Sequence, residues 1–322
     1  MGINRRGMLL GMLAATGGVR AASGGKRWPS MPVTLTVPFS PGGGTDMLAR
    51  TIAEKLSVRL GVSVIVENKP GAAGNIGAEM VARDATAHRL LFTTASIAVN
   101  PSLYKDLRYD VRRDLVPVSL LTSSPLVLAV PGKSGIHSVE DLRRQGGQRN
   151  GGLNYGSPGT GTTSHLGCAA LSREAGLAST HIPYKGAGQV TTALIAGEID
   201  FTMLAAVAAA GHVRTGAIRA IGIAGRRSPP GMESVPLLAT RYPQVEFDNW
   251  QALFAPPGFD AKDALGLQRE LAAILALPDV AEKIRGDGAA PLGLAPEATA
   301  RLVDQEVARY AKIVKDFQIQ VG

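Results

Sequence analysis

Short apolar segments with the character of β-strands alternate with helical segments along most of this chain. The alternation predicts an α/β architecture with largely parallel sheets. In such sheets, ligands bind beyond the carboxyl ends of the strands. The predicted strands are Val33–Val37, Val62–Glu67, Leu90–Thr94, Leu126–Val130, Leu153–Tyr155, Ser179–Ile182, Phe201–Leu204, Ile218–Ala224 and Trp250–Ala255. The predicted helices are Asp46–Leu60, Gly74–Arg83, Ser138–Gln145, Thr162–Ala175, Gln189–Ala196 and Ala206–Arg214.

The end of the chain departs from this alternation. We predict helices over Ala261–Leu277, Asp279–Arg285 and Pro296–Phe317, and in the last of these apolar residues recur at helical spacing. We interpret them as a helical layer that covers one lobe. An amphipathic helix that binds a partner is the alternative.

Two of the strand-to-helix turns are rich in glycine. Residues 38–46 read Pro-Phe-Ser-Pro-Gly-Gly-Gly-Thr-Asp, and residues 156–165 read Gly-Ser-Pro-Gly-Thr-Gly-Thr-Thr-Ser-His. Glycine permits a tight turn close to a ligand, and the next helix points unpaired amides at it. The pattern predicts a site for a small anion, most simply a carboxylate. A plain turn with Thr45 or Asp46 as N-cap is the alternative interpretation. Neither turn matches a nucleotide-binding motif.

The two turns belong to a longer ordered series of motifs. Through these motifs the chain, from about Trp28 to its C-terminus, resembles the extracytoplasmic solute receptors of tripartite tricarboxylate transporters, the Bug receptor family. The motifs are Val37-Pro38-Phe39 to Gly43, Thr45-Asp46 with Ala49-Arg50, residues 66–77 (Val-Glu-Asn-Lys-Pro-Gly-Ala-Ala-Gly-Asn-Ile-Gly), Tyr155-Gly156-Ser157 with Gly161-Thr162 and His165-Leu166, Pro183-Tyr184-Lys185-Gly186, and Gly197-Glu198-Ile199-Asp200.

The resemblance implies a type II periplasmic-binding-protein fold, in which two lobes enclose a ligand cleft. Strands near Pro125–Val130 and Phe247–Ala255 would connect the lobes, so that residues 26–124 plus 247–322 form lobe 1 and residues 125–246 form lobe 2. The implied function is a periplasmic receptor that delivers a small organic carboxylate to membrane transporter subunits. We expect a monomer that is not an enzyme and uses no cofactor.

The resemblance also implies which residues meet the ligand. Positions that match the family motifs, together with Ser96 at a strand end, supply them. The first wall of the cleft would comprise Phe39, Ser40, Gly43, Thr45 and Asp46, with Ser96 beside it. The second wall would comprise Ser157, Gly161, Thr162 and His165, with Tyr184, Lys185 and Asp200 at further strand ends.

Some of these residues have a plainer interpretation. Asp46 would only cap its helix, His165 would only close the first turn of its helix, Lys185 would be a solvated surface residue, and Asp200 would only hold a neighbouring loop. Asn68 and Asn75 are assigned to structure, because they flank a turn that needs side chains bonded to the backbone.

The chain also departs from the family pattern. Leu204 and Ala205 stand where an acidic or amide residue is common, which would alter the pocket. The other departures are Cys168-Ala169, Ala87-His88-Arg89 and Phe259-Asp260.

The N-terminus predicts an export signal. Arg5 and Arg6 precede a short apolar run that is too short for a permanent membrane helix, which needs about 20 residues. Small residues at 21–23 complete the pattern of a cleavable signal peptide, assigned to residues 1–25. The paired arginines favour the Tat route, and Sec export is the alternative.

Composition restricts the remaining function classes. The formal net charge is +8, and it falls to +5 when the segment with Arg5, Arg6 and Arg20 is removed. This small excess of basic residues is spread too thinly along the chain to indicate nucleic-acid binding. Cys168 is the only cysteine and is predicted to be a buried, inert thiol. The five histidines lack metal-ligand spacing, so no metal is expected.

Two other functions compete with the transport receptor. One is a carboxylate sensor that contacts a signalling partner. The other is a secreted serine hydrolase that uses Ser157. The hydrolase is disfavoured because the sequence around Ser157 is not a nucleophile elbow and His165 lies eight residues further along.

Overall fold

A computed structural model describes residues 28–286, 288–316 and 318–319. The predicted signal peptide and Phe317 lie outside these ranges. The strands are β1 Val33–Val37, β2 Val64–Asn68, β3 Arg89–Thr94, β4 Val116–Pro131, β5 Leu153–Ser157, β6 Ser179–Pro183, β7 Phe201–Ala205, β8 Ile218–Ile223, β9 Asp248–Ala255 and β10 Ala290–Pro291. The helices are α1 Gly44–Leu60, α2 Asn75–Ala82, α3 Ser96–Leu103, α4 Val139–Gln148, α5 Thr163–Ala175, α6 Ala187–Ala196, α7 Ala206–Arg214, α8 Ala261–Leu275, α9 Pro278–Gly286 and α10 Pro296–Asp316.

The strands form two sheets that share β4. In the first sheet, β1 pairs in parallel with β2 and β3, and β9 is antiparallel to both β3 and β4. In the second sheet, β5 pairs in parallel with β6 and β7, and β4 is antiparallel to β7 and β8. The sheets are therefore mixed rather than largely parallel, since the connecting strands enter them in the opposite direction.

The long strand β4 passes from one sheet to the other near its middle. Its residues up to Pro125 pair with β9, and from Leu126 onward they pair with β7 and β8. The chain returns just before β9, where the Leu126 amide donates to the Phe247 carbonyl at 3.1 Å. Both changes of pairing lie beside the predicted lobe boundaries at 124/125 and 246/247, and the exact division of the chain stays a prediction.

The helices cover both faces of the first sheet. Leu90 and Phe92 of β3 pack with the apolar faces of α1 and α8, and Leu91 packs on the opposite side with α3 and α10. This follows from the alternation of side chains along a strand. The C-terminal helices thus divide between two faces. The apolar stripe of α10, including Tyr310, is buried in the core, so it is not an exposed helix awaiting a partner.

None of the helices in the described ranges is long and apolar enough to span a bilayer.

Candidate ligand-binding cleft

A cavity lies between the two lobes, at the carboxyl ends of β1, β3, β5 and β7. Its volume is about 60 Å³. Residues from both glycine-rich turns face it, together with the ends of β7 and β9. It is lined by Phe39, Ser40, Gly43, Gly44, Thr45, Asp46, Thr94, Ser96, Pro158, Thr162, Thr163, Ser164, Ala187, Leu204, Ala205, Val207, Ala208, Asn249 and Gln251. We call this cavity the cleft.

The first wall is the start of α1. Gly43 is its N-cap, and no side chain caps the helix. The amides of Gly44, Thr45 and Asp46 have no hydrogen-bond partner within the described part of the chain, and all three residues line the cleft. A helix start leaves its first amides unpaired and carries a partial positive charge. This wall therefore offers several hydrogen-bond donors to an anion.

Asp46 holds the first turn in shape. It is 3% exposed, and its carboxylate accepts hydrogen bonds from the Gly42 amide at 3.0 Å, Arg50 Nε at 3.0 Å and Asn68 Nδ2 at 2.9 Å. Burial opposes ionisation, but the bonds from Arg50, Gly42 and Asn68 together hold the pKa of Asp46 below its ordinary value. Asn68 also donates to the Phe39 carbonyl, which confirms its structural assignment. The negative charge of Asp46 is thus compensated by its partners rather than offered to a ligand.

The second wall is the start of α5. The Thr162 hydroxyl accepts a bond from the His165 amide at 3.3 Å and donates its single proton to the Gly159 carbonyl at 2.9 Å. That proton is committed within the loop, so Thr162 supports the turn rather than donating to a solute. The next amides, of Thr163 and Ser164, have no partner among the residues described, and both residues line the cleft.

A third helix start reaches the cleft at α7. Ala205 is its N-cap and lacks a capping side chain, and Val207 and Ala208 face the cavity. Sequence reasoning predicted this helix but did not place its start at the cleft. The sequence offered a signal for this placement. At Leu204-Ala205-Ala206 a predicted strand passes directly into a predicted helix, as happens at the two glycine-rich turns. Asn249 and Gln251 of β9 were missed as well, although Gln251 is the only polar residue between Trp250 and Ala255.

Helix starts, rather than positively charged side chains, supply the partial positive charge around the cleft. Neither lysine nor arginine occurs among the described residues that line it. Three helix starts converge on the cavity, and a low-dielectric enclosure strengthens their partial charges. The arrangement suits a small anion held by fixed dipoles. Leu204, Ala205 and Ala208 add apolar surface, which suits the carbon skeleton of an organic acid.

The cleft brings together only part of the predicted site. The predicted residues that line it are Phe39, Ser40, Gly43, Thr45, Asp46, Ser96 and Thr162. Those that do not line it are Ser157, Gly161, His165, Tyr184, Lys185 and Asp200.

Asp200, Lys185 and Tyr184 lie apart from the cleft for identifiable reasons. Asp200 precedes β7, at the amino end of that strand, where it bonds to Arg149 and accepts a 2.8 Å bond from the Asn154 amide. It therefore holds a loop, which was its plainer interpretation. Tyr184 and Lys185 line a separate groove between the lobes. The Lys185 carbonyl accepts a bond from Ser40 Oγ at 3.1 Å, so this segment contributes contact between the lobes.

Gly161 serves close packing of the two lobes. Its φ is +92°, and a Cβ there would lie 3.2 Å from the Tyr104 ring of lobe 1. Tyr104 in turn donates its hydroxyl proton to the Thr160 carbonyl at 2.8 Å. The lobes are therefore in contact on this side of the cleft.

Ser157 and His165 belong to a buried aromatic cluster behind the second turn. Ser157 Oγ lies 2.6 Å from His181 Nε2 and 2.9 Å from the Gly159 carbonyl, to which it donates. With its proton committed to Gly159, the serine accepts from His181, the reverse of what a nucleophile requires. Ser157 is also 0% exposed. Neither His165 nor His181 is therefore arranged as a base for Ser157, and the pair gives no support to the hydrolase interpretation.

The two histidines of the cluster are held neutral. Their rings stack with centroids 3.9 Å apart, and His165 Nδ1 accepts the Gly161 amide at 3.2 Å. Burial, with the charge of His181 as a lesser cause, lowers the pKa of His165 to about 3. Burial lowers the pKa of His181 to about 4. Protonation of either ring would place an uncompensated charge directly behind the second turn.

We expect the protein to lose stability in mild acid because of His165. Between pH 7 and pH 5 the unfolded chain, with a histidine pKa near 6.5, takes up a proton that native His165 does not. The free energy of unfolding should fall by about 2 kcal/mol from this residue alone. Urea unfolding at both pH values measures the change, and His165→Gln should reduce it. An unchanged pH slope in the variant would show that His165 is not responsible.

Comparisons with known proteins agree with this geometry. The model of the tripartite tricarboxylate transporter family receptor (TctC) matches residues 48–319. The protein BugT of Bordetella pertussis is 32% identical over 320 residues, which cover 98% of this chain and 98% of BugT.

Solved structures show the same fold. R. palustris Rpa4515 with adipate is 32% identical with a TM-score of 0.86, over 91% of this chain and 99% of that one. MatC (Rpa3494) from Rhodopseudomonas palustris with bound malate is 29% identical with a TM-score of 0.84, over 89% of this chain and 99% of that one. The matching family is one of transporter receptors, and both structures are described with a small organic acid, so the comparisons indicate a solute-binding protein rather than an enzyme. This chain therefore belongs to the tripartite tricarboxylate transporter receptors of the Bug family.

Proposed function

We propose that this protein is a periplasmic receptor that captures a small organic carboxylate in the cleft and delivers it to the membrane subunits of a tripartite transporter. It would act as a monomer after export directed by residues 1–25. The observation that carries the proposal is the convergence of the α1, α5 and α7 starts on one cavity. The amides of Gly44, Thr45, Asp46, Thr163 and Ser164 supply the donors.

The bound acids of the related structures support the choice of ligand class. Adipate and malate both carry carboxylates and differ in their carbon skeletons. In this chain Leu204 and Ala205 face the cleft where an acidic or amide residue is common in the family. The loss of that polar side chain favours an acid with an apolar skeleton over one with many hydroxyl groups.

A comparison of an acid with its amide tests the proposal. A thermal-shift screen of organic acids identifies a ligand, since one that binds only the folded protein raises its melting temperature. Calorimetry then compares that acid with its primary amide. We expect the amide to bind about 100-fold more weakly, because the unpaired helix amides make charge-assisted bonds only to the carboxylate. Equal affinities would refute the carboxylate assignment.

A further inference from the structure

A second cavity adjoins the cleft beneath the first turns of α1. It lies between α1, α9 and the strands β4 and β9, and we call it the side pocket. Leu48, Val280 and Ile284 supply apolar surface, and Thr122, Ser124 and Gln251 form a polar floor. Lys283 is the one charged residue among the described residues that line it. The volume of the side pocket is about 40 Å³. The proposed carboxylate site does not use this cavity.

The cleft and the side pocket share a boundary. Gly44, Val207 and Gln251 line both cavities. A Cβ atom on Gly44 would lie 3.1 Å from Val207 Cγ1. The Gly44 backbone and the Val207 side chain therefore form the constriction between the two cavities. Val207 is a single small side chain at the start of α7, and one rotamer change there would alter the width of the opening.

The floor of the side pocket holds polar atoms that lack partners. Gln251 Oε1 and Ser124 Oγ are buried, and neither has a hydrogen-bond partner among the described residues. Their residues are 4% and 3% exposed. Leaving such groups unpaired costs stability, whereas a bound molecule with a polar atom would satisfy them. Gln251 is placed to meet a molecule that occupies either cavity.

We propose that the side pocket is a second subsite, which receives the apolar body of a carboxylate whose acid group lies against the helix starts of the cleft. The proposal rests on the carboxylate function proposed above. The ligand class is an organic acid with an extended alkyl body. The apolar walls contact the chain, and Gln251 at the junction accommodates a polar atom on it.

The dependence of affinity on chain length tests this subsite. Calorimetry with straight-chain monocarboxylates from acetate to octanoate gives the affinity at each length. In the wild type, affinity should rise about fourfold per methylene once the chain reaches the side pocket. No rise with length would overturn the subsite while leaving carboxylate binding intact. Failure of every acid to bind would overturn the proposed function itself.

Two variants assign the effect to the side pocket. Ala289 lines the side pocket and not the cleft, so Ala289→Leu should leave short acids unaffected and weaken the longest acids at least about tenfold. Ala289→Ser changes the volume little and serves as the matched control. Ser124→Val is an independent variant. The larger valine side chain takes up space at the polar floor of the side pocket and removes the unpartnered Ser124 hydroxyl. Valine is also a favourable residue in a β-strand, so we expect β4 to tolerate it. Wild-type length dependence in a folded Ala289→Leu or Ser124→Val protein would overturn the proposal.

Discussion

Replacing Gly43 by valine is expected to weaken carboxylate binding about 100-fold while leaving the protein folded. The φ and ψ of Gly43 are −81° and 164°, a conformation that valine adopts readily. Apart from its two chain neighbours, the described residues place only the Ser40 carbonyl near a Cβ at this position, at 4.0 Å, and Gly43 lines the cleft. The branched side chain would therefore occupy ligand space beside the unpaired amides of α1, at a cost of about 3 kcal/mol in binding.

Calorimetry for affinity and thermal unfolding for stability separate the two effects. Valine is a poorer N-cap than glycine, so the melting temperature should fall by no more than about 4 °C. Gly266→Val is the matched control, because Gly266 is exposed on α8 and, beyond its own helix turn, no atom of the described residues lies within 4 Å of an added Cβ. Undiminished affinity in Gly43→Val would mean that the ligand does not contact the start of α1.

Replacing Asp46 by alanine is expected to lower the free energy of unfolding by about 3 kcal/mol and to weaken ligand binding with it. The change removes the buried carboxylate that accepts the partly buried hydrogen bonds from the Gly42 amide and the Asn68 side-chain amide. It also frees the turn whose amides form the first wall of the cleft. Urea unfolding measures the stability, and calorimetry measures the affinity.

Arg50→Ala tests whether Asp46 stabilises the protein through its hydrogen bonds to the turn or through its ion pair with Arg50. The Arg50 side chain is 53% exposed, so loss of its pair with Asp46 should cost no more than about 1 kcal/mol. If Arg50→Ala were as destabilising as Asp46→Ala, the ion pair rather than the backbone and Asn68 bonds would carry the effect. If neither variant changed stability, Asp46 would not organise the turn.

Local patterns predicted most of the secondary structure but missed elements that lack periodicity. Helix α3 was missed because its residues 96–100 are all buried and it contains Pro101, so it shows no amphipathic stripe. The first half of β4 was missed because Pro117 and several hydroxyl residues interrupt its apolar pattern. Both elements are surrounded by other parts of the fold, and a one-sided pattern arises only where one face meets solvent.

The sequence by itself determined the strand–turn–helix units, the glycine-rich turns and, through its motifs, the receptor family. These depend on residues close together in the chain, since a tight turn or a helix start is a local property. The tertiary structure decided which helix starts face one cavity. It added α7 and Gln251 to the cleft, assigned Asp200 to a loop, and placed His181 against Ser157. Those relations join residues 24 to more than 150 positions apart. Strand pairing within lobe 2 brings His181 to Ser157 and Asp200 to its loop, and the packing of the two lobes brings the helix starts and Gln251 to one cavity.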